Sequence, residues 1–311
     1  MSGLIGTALK NYLSDKYHLS ALNRSRVDGV QCYQADIADL TSILPAFENK
    51  DTVVHLSAIW RDDPSWNDFL NCNVIGTYNV FEAARLANVK RIIFASSGAT
   101  IAGWEKSSPY SDLANGKYDK LSSWENLTKD SPIRPKGIYG CTKVWGESLA
   151  KHYSDEYGIS VICLRIGAVT QADKPVQLRH YPIWCSQKDV SQMIDKCIDA
   201  PSDLLFDTFY VTSNNKWGYR DLEHAAKTVG YVPEDSSDNF ELEADEKTKT
   251  GFYKPGILFL SSLTKGRHHT VGKFFHLISE CLHGINTEHN ASQVGHARFL
   301  IISNSVYHLC W

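Results

Sequence analysis

The chain has 311 residues, 43% of them hydrophobic, enough for one large α/β domain with a small lobe around a well-buried core. Its formal charge is −3; residues from Ala244 on hold four acids and seven Lys or Arg, which leaves the first 243 at −6 and excludes a basic nucleic-acid platform. No apolar run reaches the ~18 residues of a membrane helix, and no charged segment followed by a long apolar one opens the chain, so a cytoplasmic protein is expected.

In chain order, the first signal is Gly3-Leu4-Ile5-Gly6, running into a helix predicted from about Gly6 to Ser14. Such a loop can lay backbone N–H groups and a helix N-terminus against a pyrophosphate. Strands are predicted at Tyr17–Leu22 and Val30–Gln34, and a helix at Leu40–Phe47. A buried strand at Thr52–Leu56 ends in the small residues Ser57 and Ala58. A long helix over about Trp66–Ala87 leads to the strand Arg91–Ala95 and the paired serines Ser96 and Ser97. This is the strand–helix–strand rhythm of a parallel sheet, whose strand ends bind ligands. The polar stretch from Trp104 to Lys136 predicts a long loop that could cover a substrate. A helix carrying Tyr139 and Lys143 runs to about Tyr157, with Gly158 as its C-cap. The strand Ser160–Arg165, the helix Lys188–Ile198, the strand Leu205–Thr212 and the helix Tyr219–Val229 complete the pattern.

Tyr139-Gly140-Cys141-Thr142-Lys143 places a phenol and an ammonium four residues apart on one helical face. A cation beside a phenol favours the phenolate, which suits the pair to move a proton near neutral pH. The spacing alone is common by chance.

The ordered set Gly3-x-x-Gly6, Ala35-Asp36-Ile37, Val54-His55-Leu56-Ser57-Ala58, Asn73-x-x-Gly76-Thr77-x-Asn79, Ser96-Ser97, Tyr139-x-x-x-Lys143 and Leu164-Arg165-Ile166-Gly167 resembles the extended short-chain dehydrogenase/reductase superfamily, the NAD(P)-dependent epimerase/dehydratase group. Trp184-Cys185-Ser186-Gln187-Lys188-Asp189 looks most like the branch containing uronate dehydrogenases. The resemblance implies an α/β fold, a Rossmann-like doubly wound parallel sheet with a small C-terminal substrate lobe at about 168–243. The NAD(P)-binding domain would span 1–243, followed by an unrecognised C-terminal extension at 244–311. It also implies hydride transfer between a nicotinamide and a secondary alcohol or ketone of a sugar or sugar acid, with a small-molecule substrate as the partner. Neither nucleic acid nor membrane is expected, and a homodimer built on two helices is common in the superfamily. Tyr139 would move the hydroxyl proton, Lys143 would lower the Tyr139 pKa and bond the nicotinamide ribose, and Ser97 would bond the reacting oxygen.

For the cofactor, the resemblance assigns Gly3, Leu4, Ile5 and Gly6 to the phosphates, Asp36 and Ile37 to adenine, and Ser57 and Ala58 to the floor of the site; Leu56 and Asn73 are further cofactor-binding candidates, with Asn73 read first as a structural residue that holds a helix or a water in place. Asp36 is alternatively a helix cap. Asn23 and Arg24 end the second predicted element, where an NAD site usually carries an acid. Arg24 could pair with a 2′-phosphate, which tilts the expectation toward NADP over NAD; a solvated Arg is the alternative. Ser97, Gly98 and Arg179 are the substrate-binding candidates, with Ser96 and Thr100 as alternatives to Ser97.

The chain departs from the resemblance in three ways. Before Met1 it lacks the family's first strand and glycine, so Met1 is read as an internal methionine or the native start is placed upstream. Loss of that strand would leave its neighbours with unpaired edges. The uronate dehydrogenases have a serine where this chain has Ala168, and polar residues where it has Gly98 and Ala99, so its specificity is expected to differ. The tail after Ala244 carries Ala297-Arg298-Phe299-Leu300-Ile301-Ile302 and seven histidines, whose spacing fits no metal motif. Eight cysteines without a C-x-x-C pair suit a reducing compartment, and Cys141 reads as packing. An epimerase using the same Tyr and Lys, or a non-catalytic cofactor-binding chain, are the rival readings.

Overall fold

A computed structural model describes residues 1–60, 63–241 and 297–303. The strands are β1 (His18–Asn23), β2 (Gln31–Gln34), β3 (Thr52–His55), β4 (Arg91–Ser97), β5 (Ser160–Ile166), β6 (Phe206–Val211) and β7 (Arg298–Ile302). They form one parallel sheet in the order β2-β1-β7-β3-β4-β5-β6. Alternation along the strands divides the apolar residues between two faces. Val54, Ile93, Ile162, Leu164, Phe299 and Ile301 pack with Leu9 and Leu13 of α1 (Leu4–Leu13) and Val190, Met193 and Ile194 of α7 (Gln187–Ile198). Val53, Ile92, Phe94, Val161, Leu300 and Ile302 pack with α2 (Leu40–Phe47), α4 (Thr77–Leu86) and α6 (Gly137–Tyr157) through Phe47, Phe81 and Tyr153. Helices on both faces make the sheet doubly wound, as the sequence predicts.

The sheet centre differs from expectation. α1 is the first element of the described residues, yet β1 and β3 are not left with bare edges. β7 lies between them, pairing Leu19 with Phe299 on one side and Val53 with Leu300 on the other. The Leu56 N–H donates to the Ile302 carbonyl at 2.8 Å, and the Asp51 N–H donates to that of Arg298 at 2.9 Å. The residues 298–302, expected in an unrecognised C-terminal extension, thus form an interior strand of the sheet. Burial of Phe299, Leu300, Ile301 and Ile302 stabilises this arrangement by about 1.5–3 kcal/mol per side chain. Past β7, the Ser303 hydroxyl accepts from the Met1 amino group and, at 3.1 Å, from the Ser2 N–H. Gly6 is required here: a Cβ would lie 2.8 Å from Met1 Cα and 3.2 Å from Ser303 Oγ. Strand, turn and α1 are brought together from the two ends of the sequence.

Three other elements differ in detail. The predicted long helix is divided into α3 (Trp66–Asp68), a π-helical stretch Phe69–Gly76, and α4. The predicted 104–136 loop contains short 3-10 turns and α5 (Tyr110–Ala114). Tyr219 and Arg220 are not helical, because Arg220 bridges to Leu127 in parallel pairing, and α8 runs only over Glu223–Val229. Cys141 is exposed on α6 rather than packed. The tail histidines, Cys281 and Cys310 lie outside the described residues.

Candidate active site

β4 ends at Ser97, and the start of α6 brings Tyr139 to it. The approach is close because Gly140 carries no side chain; a Cβ there would meet the Ala99 carbonyl oxygen at 2.7 Å. The segment before α6 is stitched to the same loop: Lys136 N–H donates to the Ala99 carbonyl at 2.9 Å and Arg134 N–H to that of Thr100 at 3.1 Å. Tyr139 is half-buried. Burial pushes its phenol up to about 12, and the neighbouring Ser97 hydroxyl offsets part of the rise. The neighbouring hydroxyls point elsewhere. Ser96 Oγ donates to Glu147 Oε1 at 2.6 Å, and Thr100 Oγ1 donates to the Ser97 carbonyl at 2.9 Å.

Lys143 lies one turn after Tyr139 and is 3% exposed. Its Nζ donates to the Ala95 carbonyl at 2.6 Å, 4.8 Å from the Phe94 ring centroid and 5.8 Å from that of Tyr139. Burial lowers it to about 8, against the opposing pull of Cys72, Glu147 and Cys163. Burial dominates the phenol, and the ammonium is held at a backbone carbonyl. His55 is buried with Nε2 3.2 Å from Thr77 Oγ1, and burial first, then Lys143, lowers it to about 3, so it is neutral.

One turn beyond Lys143, Glu147 takes a bidentate pair from Arg165 of β5, at 2.9 Å from Nε and 2.8 Å from Nη2. With Ser96, this pair ties α6 to β4 and β5. Asn73, in the π-helical stretch, accepts from the Ile59 N–H at 2.7 Å and donates to the Ile59 carbonyl at 2.9 Å and to Thr142 Oγ1 at 3.1 Å. It thus fixes the backbone after Ser57 and Ala58 against the helix that carries Tyr139. π-helical turns are common where a side chain must be re-aimed at a site.

The proposed cofactor residues lie along the carboxyl edge of the sheet. Gly3 is the N-cap of α1, without a side-chain cap, and Leu4, Ile5 and Gly6 form its first turn. Asn23 is buried at the end of β1, bonded to Ser2 Oγ at 3.2 Å, and Arg24 is exposed beyond it. Asp36 is exposed and accepts from the Ala38 N–H at 2.9 Å, while Asp39 caps α2. Ile37 is buried against Gly76, and its carbonyl accepts from Asn79 at 2.8 Å. Leu56 and Ala58 are half-buried. Ser57 Oγ is buried without a hydrogen-bond partner. An uncapped helix start, small residues at the strand ends and an orphaned hydroxyl fit a nicotinamide dinucleotide.

On the substrate side, Arg179 is not a free cation. Its Nε and Nη2 bond Glu105 at 2.6 and 2.8 Å, and Tyr219 Oη donates to the same carboxylate at 2.7 Å. The sequence placed Arg179 in a substrate role, but Glu105, whose pairing lay beyond sequence reading, already neutralises it. Gly98 offers only backbone, because a Cβ would fall 2.1 Å from Arg220 Nη2. Arg220 was missed, since it lay inside a predicted helix. Among the described residues no cluster of three His, Cys, Asp or Glu could hold a metal ion, and no helix is long and apolar enough to cross a membrane.

Residues 1–175 match the model of the NAD dependent epimerase/dehydratase family. The chain is 29% identical over 253 residues to the NAD-dependent glucose-6-phosphate dehydrogenase of Haloferax volcanii, covering 78% of this chain and 94% of the relative. It is 33% identical over 218 residues to a uronate dehydrogenase of Agrobacterium fabrum, covering 70% and 74%. A mutant uronate dehydrogenase from Agrobacterium tumefaciens solved with NAD is similar in structure, with a TM-score of 0.65, 30% identity and coverage of 76% of this chain and 83% of that one.

Proposed function

The chain belongs to the NAD dependent epimerase/dehydratase family, and from that premise we propose that it is an NAD(P)-dependent dehydrogenase acting on a secondary alcohol of a sugar or sugar acid. The observation that carries this reading is the placement of Tyr139, at the start of α6, beside Ser97 at the end of β4, with Lys143 Nζ one helical turn on and 5.8 Å from the Tyr139 ring centroid. When bound, the nicotinamide supplies the redox chemistry by taking or giving a hydride. Ser97 Oγ holds the reacting oxygen within reach of Tyr139 Oη, and Tyr139 takes the hydroxyl proton in oxidation or returns it in reduction. Lys143, one turn deeper, supplies positive charge and N–H donors beside the phenol. Arg165 and Glu147 hold α6 in register, so that the phenol meets Ser97 rather than solvent.

An epimerase would need a further acid/base group. The site carboxylates Glu105 and Glu147 are both held in ion pairs with arginines, which favours the simple dehydrogenase. β7 lies between β1 and β3, so the sheet lacks no interior strand there, which disfavours a non-catalytic chain. Both NAD and NADP are proposed as cofactors, with Arg24 beside the position of a 2′-phosphate. Arg24→Ala is expected to weaken NADP more than NAD, read by titration; equal losses would remove Arg24 from cofactor choice. The test of the chemistry is Tyr139→Phe. Turnover is expected to fall by about 10²–10⁴-fold with unchanged cofactor affinity, and turnover that survives would overturn the assignment.

A further inference from the structure

Arg220 is 4% exposed, and its Nε and Nη1 are buried without a hydrogen-bond partner. Its guanidinium lies over Gly98, the residue after Ser97, with the Gly98 Cβ position 2.1 Å from Nη2 and 2.5 Å from Nη1. Among the described residues no carboxylate pairs with it. Glu105 is engaged by Arg179 and Tyr219, and Glu147 by Arg165 and Ser96. A buried guanidinium with spare donors is costly unless something anionic meets it. Its planar fork matches a carboxylate or a phosphate.

Resting on the dehydrogenase reading, we propose that Arg220 is the substrate's anion anchor, binding the carboxylate or phosphate of a sugar beside the hydroxyl that Ser97 and Tyr139 hold. Gly98 is part of the same device, because any side chain there would occupy the space of the guanidinium. The anchor is supplied from the segment before α8, held in place by the Leu127–Arg220 bridge and by the Asp221 N–H donating to the Leu127 carbonyl at 3.0 Å. Arg179, neutralised by Glu105, then shapes the pocket wall rather than reading charge.

The test titrates the full chain, with and without NADH, with D-glucuronate, D-glucose 6-phosphate and D-glucose. The wild type is expected to bind at least one anion more tightly than glucose by about tenfold or more; which anion wins separates carboxylate from phosphate. Arg220→Met removes that preference and leaves NADH affinity unchanged, while Arg220→Lys restores part of it. If Arg220→Met does not fold, Gly98→Ala serves instead, since it displaces the guanidinium and should weaken the same anion. Equal binding of anion and glucose by the wild type, or a preference that survives these substitutions, overturns the anchor. Failure of the wild type to bind NADH overturns the dehydrogenase reading, and the anion comparison still decides the anchor.

Discussion

Burial that holds the Tyr139 phenol up at about 12 keeps it protonated at neutral pH, so the residue enters the reaction first as a proton donor. Oxidation of an alcohol needs the phenolate instead, and below the pKa that fraction grows about tenfold per pH unit. The oxidation rate is therefore expected to climb steadily with pH through the neutral and mildly alkaline range, while the reverse reduction stays nearly level. Rate profiles in both directions check this, and a level oxidation profile would contradict it. That Tyr139, Lys143 and Ser97 come together was legible in the sequence, because one helix and one strand end fix their places locally. Arg220 and Glu105 were not. Their roles depend on which charges meet across loops distant in sequence, and nothing in Gly98 or Tyr219-Arg220 advertises that contact.

The helix α6 has its phenol at one end and its strongest tether one turn beyond Lys143. Glu147, buried with Arg165 and Ser96, holds α6 against β4 and β5. Glu147→Gln leaves the Arg165 guanidinium buried without its counter-charge, a loss of about 3–5 kcal/mol. A lowered melting temperature, with turnover falling further than cofactor binding, is the expected result; an unchanged melting curve would show the tether to be dispensable. The helix itself was legible from its period and from Gly158, left-handed at φ +65°. The π-helical turns before α4 were not, because they serve Asn73's bonds to Ile59 and Thr142, a tertiary demand that local spacing does not reveal.

At the scale of the molecule, the sheet is completed by residues from the far end of the sequence. The apolar run Phe299-Leu300-Ile301-Ile302 was visible, but chain order hid its place, since a parallel sheet read strand by strand expects its central strand first. β7 pairs on both sides, so a charge on it cannot reach water. Leu300→Asp is expected to destabilise the fold by more than the ~2–5 kcal/mol of a core truncation and to abolish nucleotide binding with it; a stable, binding-competent variant would show that β1 and β3 manage without β7. The same strand delivers Ser303 to Met1 and Ser2 at the start of α1. The most direct test of the whole account is calorimetric titration of the full chain with NADH and then NADPH. The account predicts binding of at least one with an affinity of about micromolar order, through a cradle built from both ends of the sequence. Binding of neither would contradict the nicotinamide-dependent reading itself.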